Sequence, residues 1–475
     1  MSKPNPKRPL EPNWLLIFIV ILALGLRLFG LTTSLTDWHS FRQADTASVT
    51  REYVKHGIDL LHPTYQDLGN IQSGKDNPKG YRMVEFPFIN AFLALILRTV
   101  PSLDLVVISR LFSILCSLGT TVALYYLGKR WANPAVGYLS ALTFASLPYA
   151  VYYSRVILPE PSFTFCVTFA VLAFDIWIED HKKRWYLLSF ISFALALLLK
   201  PFALFFAPVM GYLALRHYRE RVFYQPLLYL YGLTLAPMIW WRTWIQQFPE
   251  GIPASDWLFN GDGIRLRPAW FRWLGWERYT KMILGGGNLV VLASLLKKDK
   301  MRELLIVWGS CVLLYLVVIA TGNVRHDYYQ SITLPVVALA VGQGLWVIYH
   351  FFHHRDWKWA GIGVTAALFI TMVLISRQFV WGFYRTRPDW EQVGQAVDRL
   401  TPPDAKVIIP AMSDTAPLFQ ANRTGWTLGG DIDHKIEQGA TYYASTAYDD
   451  EAKELERRFQ LIEKNSNHII IKLSP

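Results

Sequence analysis

The chain has 475 residues, of which 52% are hydrophobic and 17% charged, with a formal net charge of +11. Soluble domains average about 25% charged residues, and here the apolar residues run in long blocks separated by short basic clusters, so disorder, collagen and coiled coil are excluded and a polytopic membrane protein is expected. The basic residues lie between apolar segments and not on a soluble domain, which suits positive-inside topology and argues against nucleic acid.

The chain opens with Lys3, Lys7 and Arg8 ahead of an apolar run from Trp14 to Leu31. That layout resembles a signal sequence, but no small-x-small cleavage site follows, so it reads as a retained first span. A long loop extends from Thr32 to about Asp104, and its apolar stretch Phe86 to Val100 is too short to cross, so it reads as a helix lying in the interface. Further spans are expected near 105–127, 134–153, 161–178, 185–199, 201–215, 224–246, 283–296, 303–320, 328–349 and 359–380, which makes eleven. The basic clusters Lys3 to Arg8, Lys129-Arg130, Lys182 to Arg184, Arg216 to Arg221, Lys297 to Arg302 and Arg355 to Lys358 then share the cytoplasmic side. Arginines interleaved with Trp270, Trp273 and Trp276 suggest a second interfacial helix to Met282.

From Gly382 the composition turns mixed and polar, with helices expected at Trp390 to Leu400 and near Asp450 to Glu463, and strands at Lys406 to Pro410 and His468 to Leu473. The expected fold is an all-α polytopic membrane protein of about 11 transmembrane helices with a small C-terminal α/β external domain, divided as 1–381 and 382–475. Cys116, Cys166 and Cys311 each lie in an apolar block and suggest packing, not a disulfide framework. No internal repeat, Walker A loop, His-Glu-x-x-His or Gly-x-Ser-x-Gly is present.

The chemistry-bearing residues fall in the expected external loops. The first loop reads Asp37-Trp-His-Ser-Phe-Arg42-Gln-Ala-Asp45 and continues to Glu85-Phe-Pro-Phe, and the turn after the third span reads Arg155-Val-Ile-Leu-Pro-Glu160-Pro. Topology therefore brings Asp45, Glu85 and Glu160 to one membrane face, beside Arg42 and Arg155. A carboxylate there can act as general base or help to hold a divalent cation; the plain alternative is solvated loop acids. Lys200, flanked by apolar residues and followed by Pro201, must sit at a turn or in a polar cavity. It can bind a lipid phosphate or simply snorkel. The cluster Asn323-Val-Arg325-His326-Asp327-Tyr328-Tyr329 suggests a His326–Asp327 hydrogen-bonded pair, an Arg325 facing phosphate and an aromatic anchor. His350, His353 and His354 fall on the cytoplasmic side without matching ligands nearby.

On these motifs the first 380 residues resemble the membrane glycosyltransferases of the GT-C fold, and they are most similar to the bacterial branch of family 39. That branch includes protein O-mannosyltransferases and the aminoarabinose transferase that modifies lipid A. By position, Asp45 in Arg-Gln-Ala-Asp-Thr-Ala matches the family's loop aspartate, and Glu85 in Glu-Phe-Pro-Phe matches the acid of a Glu-Lys-Pro-Pro segment that can help to bind a metal. Glu160 in Leu-Pro-Glu-Pro-Ser matches the second-loop acid, and Lys200 in Leu-Lys-Pro matches a Lys-Gly-Pro turn near the lipid phosphate. The chain departs from the family in having Thr46 where an acid usually follows Asp45, and Phe86 where the lysine of Glu-Lys-Pro-Pro stands.

The resemblance implies transfer of a sugar from a polyprenyl-phosphate carrier to a protein, lipid or glycan acceptor at the outer face of a bacterial inner membrane, with inversion. Asp45 and Glu160 are then the catalytic candidates; Arg42, Lys200, Arg325, His326 and Tyr328 bind substrate; and Glu85 is the candidate ligand if a divalent metal is used. The alternative is a flippase or transporter of a lipid-linked or polar substrate, which predicts carboxylates in mid-span or repeated halves, and neither is evident.

Overall fold

The computed structural model describes residues 13–473; the Lys3 to Arg8 cluster lies outside them. Helix α1 (Trp14–Arg27) starts where the Asn13 side chain accepts from the Leu16 amide. It is followed by α2 (Ser40–His56), a polar helix of which twelve residues are buried, and by the amphipathic α3 (Phe88–Thr99). Helices α4 (Leu105–Trp131), α5 (Pro134–Ser146), α6 (Pro148–Tyr153), α7 (Pro159–Asp180) and α8 (Lys183–Leu199) complete the first part of the bundle. The α3 boundaries match the interfacial helix expected from the sequence.

Among the described residues five helical stretches are long and apolar enough to cross a membrane: Leu105–Trp131, Pro159–Asp180, Lys300–Val318, Asp327–His353 and the first part of Lys358–Leu400. Each of the eleven expected segments contains helix, but several are short or broken. Pro148 divides the span expected at 134–153 into α5 and α6, because proline lacks the amide that an uninterrupted helix would use. Pro201–Tyr224 and Pro226–Gln247 meet at a bend of 102°. The segment expected at 283–296 holds only the helix Asn288–Ala293, since Gly285 and Gly286, at φ +52° and +84°, interrupt it. The stretch Arg272–Ile283, expected as an amphipathic α-helix, is wound as a π-helix.

The bundle core is one large apolar cluster in which α7 packs on α4 and α8, and Leu334–His353 packs on α5. Its two ends differ in chemistry. At one end Arg130 pairs with Asp175 at 2.6 Å, and Arg216 and Lys300 both lie over the Trp131 ring, so basic clusters far apart in sequence share that end. The opposite end, at the start of α7 and the end of α8, carries the acids of the first loop.

After the last long helix the chain forms an α/β region. Its sheet has the order β2-β1-β3-β5-β4, with strands β1 (Lys406–Ile408), β2 (Thr424–Trp426), β3 (Ala440–Ser445), β4 (Gln460–Lys464) and β5 (Ile469–Lys472). β1 runs parallel to β2 and β3, whereas β5 is antiparallel to both of its neighbours. The helix expected to reach Glu463 stops at Arg458, because Phe459 takes up an extended backbone and the polar residues that follow form an edge strand. This region docks on α2. Gly425 donates to the Gln66 carbonyl at 2.9 Å and accepts from the Leu68 amide at 2.8 Å, so the first loop adds itself to the sheet edge.

Candidate active site

Helix α2 begins at His39, whose backbone is left-handed (φ 57°), and its buried face presents Arg42, Asp45, Ser48 and Glu52. Asp45 is 1% exposed. Its Oδ2 accepts from Gln72 at 3.1 Å and pairs with Arg82 at 3.1 Å, while Oδ1 accepts from the Thr415 hydroxyl at 2.7 Å. Thr415 comes from the α/β region, 370 residues away in sequence.

One helical turn earlier, Arg42 reaches from α2 to Glu85, just before α3. Burial opposes ionisation of Glu85, but the positive charges of Arg42, Lys200 and Arg82 outweigh it and hold the carboxyl down at about 2. Burial likewise works against the Arg42 charge, and Glu85 with its acidic neighbours more than offsets it, raising Arg42 above its ordinary value. Lys200, at the end of α8, donates to Glu160 in the first turn of α7 and lies 4.9 Å from the centroid of Tyr329 and 5.6 Å from that of Tyr328. Glu160 Oε2 is buried and has no protein partner. A narrow cleft opens beside Glu85 between α3, α4 and α7, polar at Thr50, Asn90 and Ser162 and apolar at Leu93 and Phe112.

A second network lies next to this one. Asp327 accepts from Tyr153 at 2.6 Å and from the Trp38 indole at 3.1 Å, bonds to His39 Nε2 at 2.5 Å and has Arg278 at 3.5 Å. The His39 ring in turn stands edge-on to Tyr328, 4.9 Å between centroids.

The family model described as dolichyl-phosphate-mannose-protein mannosyltransferase matches residues 85–244. Among solved structures, ArnT from Cupriavidus metallidurans bound to undecaprenyl phosphate superposes with a TM-score of 0.68 at 11% identity, over 98% of this chain and 99% of that one. The chain has the GT-C fold. The archaeal oligosaccharyltransferase AglB from Archaeoglobus fulgidus, in complex with an inhibitory peptide and a dolichol-phosphate, matches at TM-score 0.59 and 11% identity over 91% of this chain and 69% of its own. Arabinofuranosyltransferase AftD from Mycobacteria matches at 0.63 and 13% over 98% of this chain, which spans 42% of AftD. No curated protein matches the sequence significantly. Glycosyltransferase, the enzyme class expected from the sequence, is the class of the matched family and of these GT-C structures.

Within this GT-C fold, Arg42, Asp45, Glu85, Glu160, Lys200 and Tyr328 come together at one end of the bundle. Lys200 is 7% exposed and ion-paired, so it does not snorkel. Arg325 lies apart: it pairs with Asp262 at 2.5 Å at an exposed position and does not face the cluster. The expected His326–Asp327 pair is not formed. His326 packs among the rings of His39, Phe41, Trp257 and Tyr328, and Asp327 takes His39 instead, because adjacent side chains at the start of a helical turn diverge. Arg155 is bound to Asp37 at 2.6 Å and to the Gly30 carbonyl, which ties the end of α1 to α7 away from Asp45.

The surroundings of Glu85 do not suit a divalent cation. The positive charges of Arg42, Lys200, Arg82 and Arg242 act on it, its partner is Arg42, and among the described residues no group of three or more His, Cys, Asp or Glu is placed to hold a metal. Sequence reasoning missed His39, Arg82 and Thr415. His39 and Arg82 stand in the same loop as the chosen acids; Thr415 lies in a short polar segment with no motif.

Proposed function

We propose that the protein transfers a glycosyl group from a polyprenyl-phosphate-linked sugar to a nucleophilic acceptor on a protein, lipid or glycan. Asp45 takes the proton from the acceptor as its heteroatom bonds to the anomeric carbon. The bond from that carbon to the phosphate oxygen breaks on the opposite face, its electron pair leaves with the phosphate, and configuration inverts. Lys200 and Arg42 stabilise the departing phosphate by charge-assisted hydrogen bonds in a site largely closed to water. The cleft beside Glu85 takes the first units of the carrier. Glu160 and Glu85 keep the two cations neutralised until a phosphate replaces them, and Tyr328 flanks the Lys200 ammonium. His326 lines the aromatic wall, and Arg325 stands at the rim.

The observation that carries this reading is the pairing of two cations with Glu85 and Glu160 in one cluster beside Asp45, at the mouth of a cleft between α3 and the bundle. We further propose that residues 1–381 act as the transferase unit and 382–475 as an external domain, in a bacterial inner membrane with the N-terminus cytoplasmic. The basic end of the bundle, in the sense of the positive-inside rule, supports that orientation.

The test uses full-length protein in lipid nanodiscs, a labelled polyprenyl-phosphate sugar and candidate acceptors, with release of free polyprenyl phosphate as the readout. Asp45→Asn is expected to lower turnover by about 10²–10⁴, the range for general-base catalysis, and to keep donor binding. Full turnover in Asp45→Asn sinks the assignment of the base.

A further inference from the structure

The α/β region supplies a side chain to Asp45, and the pattern of its other contacts shows what that side chain is for. The segment around Thr415 is anchored to the first loop and α2 several times over. Ser40 donates to Asp414 Oδ2 at 2.6 Å, Gln66 donates to the Thr415 carbonyl at 3.0 Å, and Arg51 donates to the Phe419 carbonyl at 2.8 Å while its guanidinium lies 4.6 Å from the Phe419 ring. Asp414 Oδ1 also accepts from the Ala416 amide, which holds the turn itself. The Thr415 hydroxyl is therefore not needed for adhesion.

That hydroxyl has two acceptors in reach, Asp45 Oδ1 at 2.7 Å and the Phe41 carbonyl at 3.1 Å. It has one proton to give, and the nearer, charged oxygen makes the stronger bond. Asp45 Oδ2 is already committed to Arg82 and Gln72. Oδ1 accepts from Thr415 alone and so keeps a lone pair free.

We propose that Thr415 is a positioning residue for Asp45: it fixes the orientation of Oδ1, the oxygen that receives the acceptor proton, and thereby makes the C-terminal α/β region an integral part of the catalytic site. The inference rests on the reading of Asp45 as the base. The competing possibility is a cover, in which the Thr415 contact closes Asp45 off and must break before an acceptor can bind.

The two give opposite signs in the nanodisc assay. Thr415→Val replaces the hydroxyl by a methyl of the same shape. It is expected to lower kcat about tenfold with the donor KM and the unfolding temperature unchanged, and Thr415→Ser is expected to restore kcat. In an Asp45→Asn background the valine substitution should have no further effect, because the two groups act as a unit. Unchanged or increased kcat in Thr415→Val overturns the proposal, an increase identifying a cover; so does a serine variant as damaged as the valine one. If the valine variant does not accumulate, Thr415→Ala is read in its place by the same criteria. Full activity in Asp45→Asn instead removes the base assignment itself, so the two failures are told apart.

Discussion

The Lys200 ammonium is held between the Glu160 carboxylate and the face of the Tyr329 ring, 4.9 Å from its centroid, at the place where α7 begins and α8 ends. Neither charge is open to water: Glu160 is 1% exposed and Lys200 7%. Removing one partner of such a pair leaves a buried charge without compensation, at a cost of about 3–5 kcal/mol, whereas neutralising both together is far less damaging. Lys200→Met should therefore lower the unfolding temperature strongly, and Lys200→Met with Glu160→Gln should recover most of it. Neither variant should recover donor binding, because the ammonium proposed to meet the phosphate is missing from both. Thermal unfolding and binding of a labelled polyprenyl phosphate separate the two effects. Recovery of binding in the double variant would remove Lys200 from the phosphate site.

The members of this cluster differ in how far the sequence revealed them. Asp45, Glu85 and Glu160 were legible because topology forces acids between apolar blocks to one end of the bundle, and Lys200 because an isolated charge among leucines and phenylalanines needs a partner. Which acid each cation takes was not legible, since pairing depends on how α2, α7 and α8 are placed against each other. His39 was passed over for a local reason: the expected partner of Asp327 was the adjacent His326, while His39 stands 288 positions away and reaches Asp327 only once the chain is folded back. The C-terminal strands β2 and β3 lacked a clear alternation, and the contact of Thr415 with Asp45 has no local signature.

Acid should attack the first loop through Glu85. Burial alone would raise this carboxyl, but Arg42, Lys200 and Arg82 hold it at about 2, below its ordinary value of 4.5. A lowered folded-state pKa contributes stability that is present above about pH 4.5 and is lost as pH falls toward about 2. The wild type should lose stability across that window, and Glu85→Gln, already lacking the charge, should lose less. Unfolding temperatures measured from pH 5 to pH 2.5 check this; parallel curves for the two proteins would contradict it.

The docked face of the α/β region should respond in the opposite direction. Burial, with Asp45 nearby, raises both Asp67 and Asp414 to about 6, against an ordinary value of 3.8. A raised folded-state pKa favours the fold fully below about pH 3.8, and that contribution is lost as pH rises through about 6. The groups facing Asp414 are Ser40, the Phe41 and Ala416 amides and Asp45, and the Arg387 guanidinium that acts on it is tied to Asp389, so its ionisation is only partly compensated. Hydrogen exchange in residues 413–427 should therefore quicken between about pH 4 and pH 6, after correction for the intrinsic rate. Asp414→Asn should flatten that rise, and an unchanged slope would exclude Asp414 as its source.

The joint between the first loop and the sheet depends on a residue without a side chain. Gly425 lies in β2 beside β1, where an added Cβ would stand 1.8 Å from the Val407 carbonyl oxygen, a backbone atom that cannot turn aside. The same residue exchanges backbone hydrogen bonds with Gln66 and Leu68, so any displacement of β2 is felt directly by the loop that carries Asp67 and leads to Gln72 and Arg82. Gly425→Ala should thus cost about 1–3 kcal/mol, the range for overpacking, and loosen the α/β region from α2. Limited proteolysis between the last long helix and Pro388 should accelerate. Turnover should fall with it, since Thr415, Gln72 and Arg82 would no longer converge on Asp45. An alanine variant with native protease resistance but low turnover would show that the sheet edge orders Asp45 without holding the region in place.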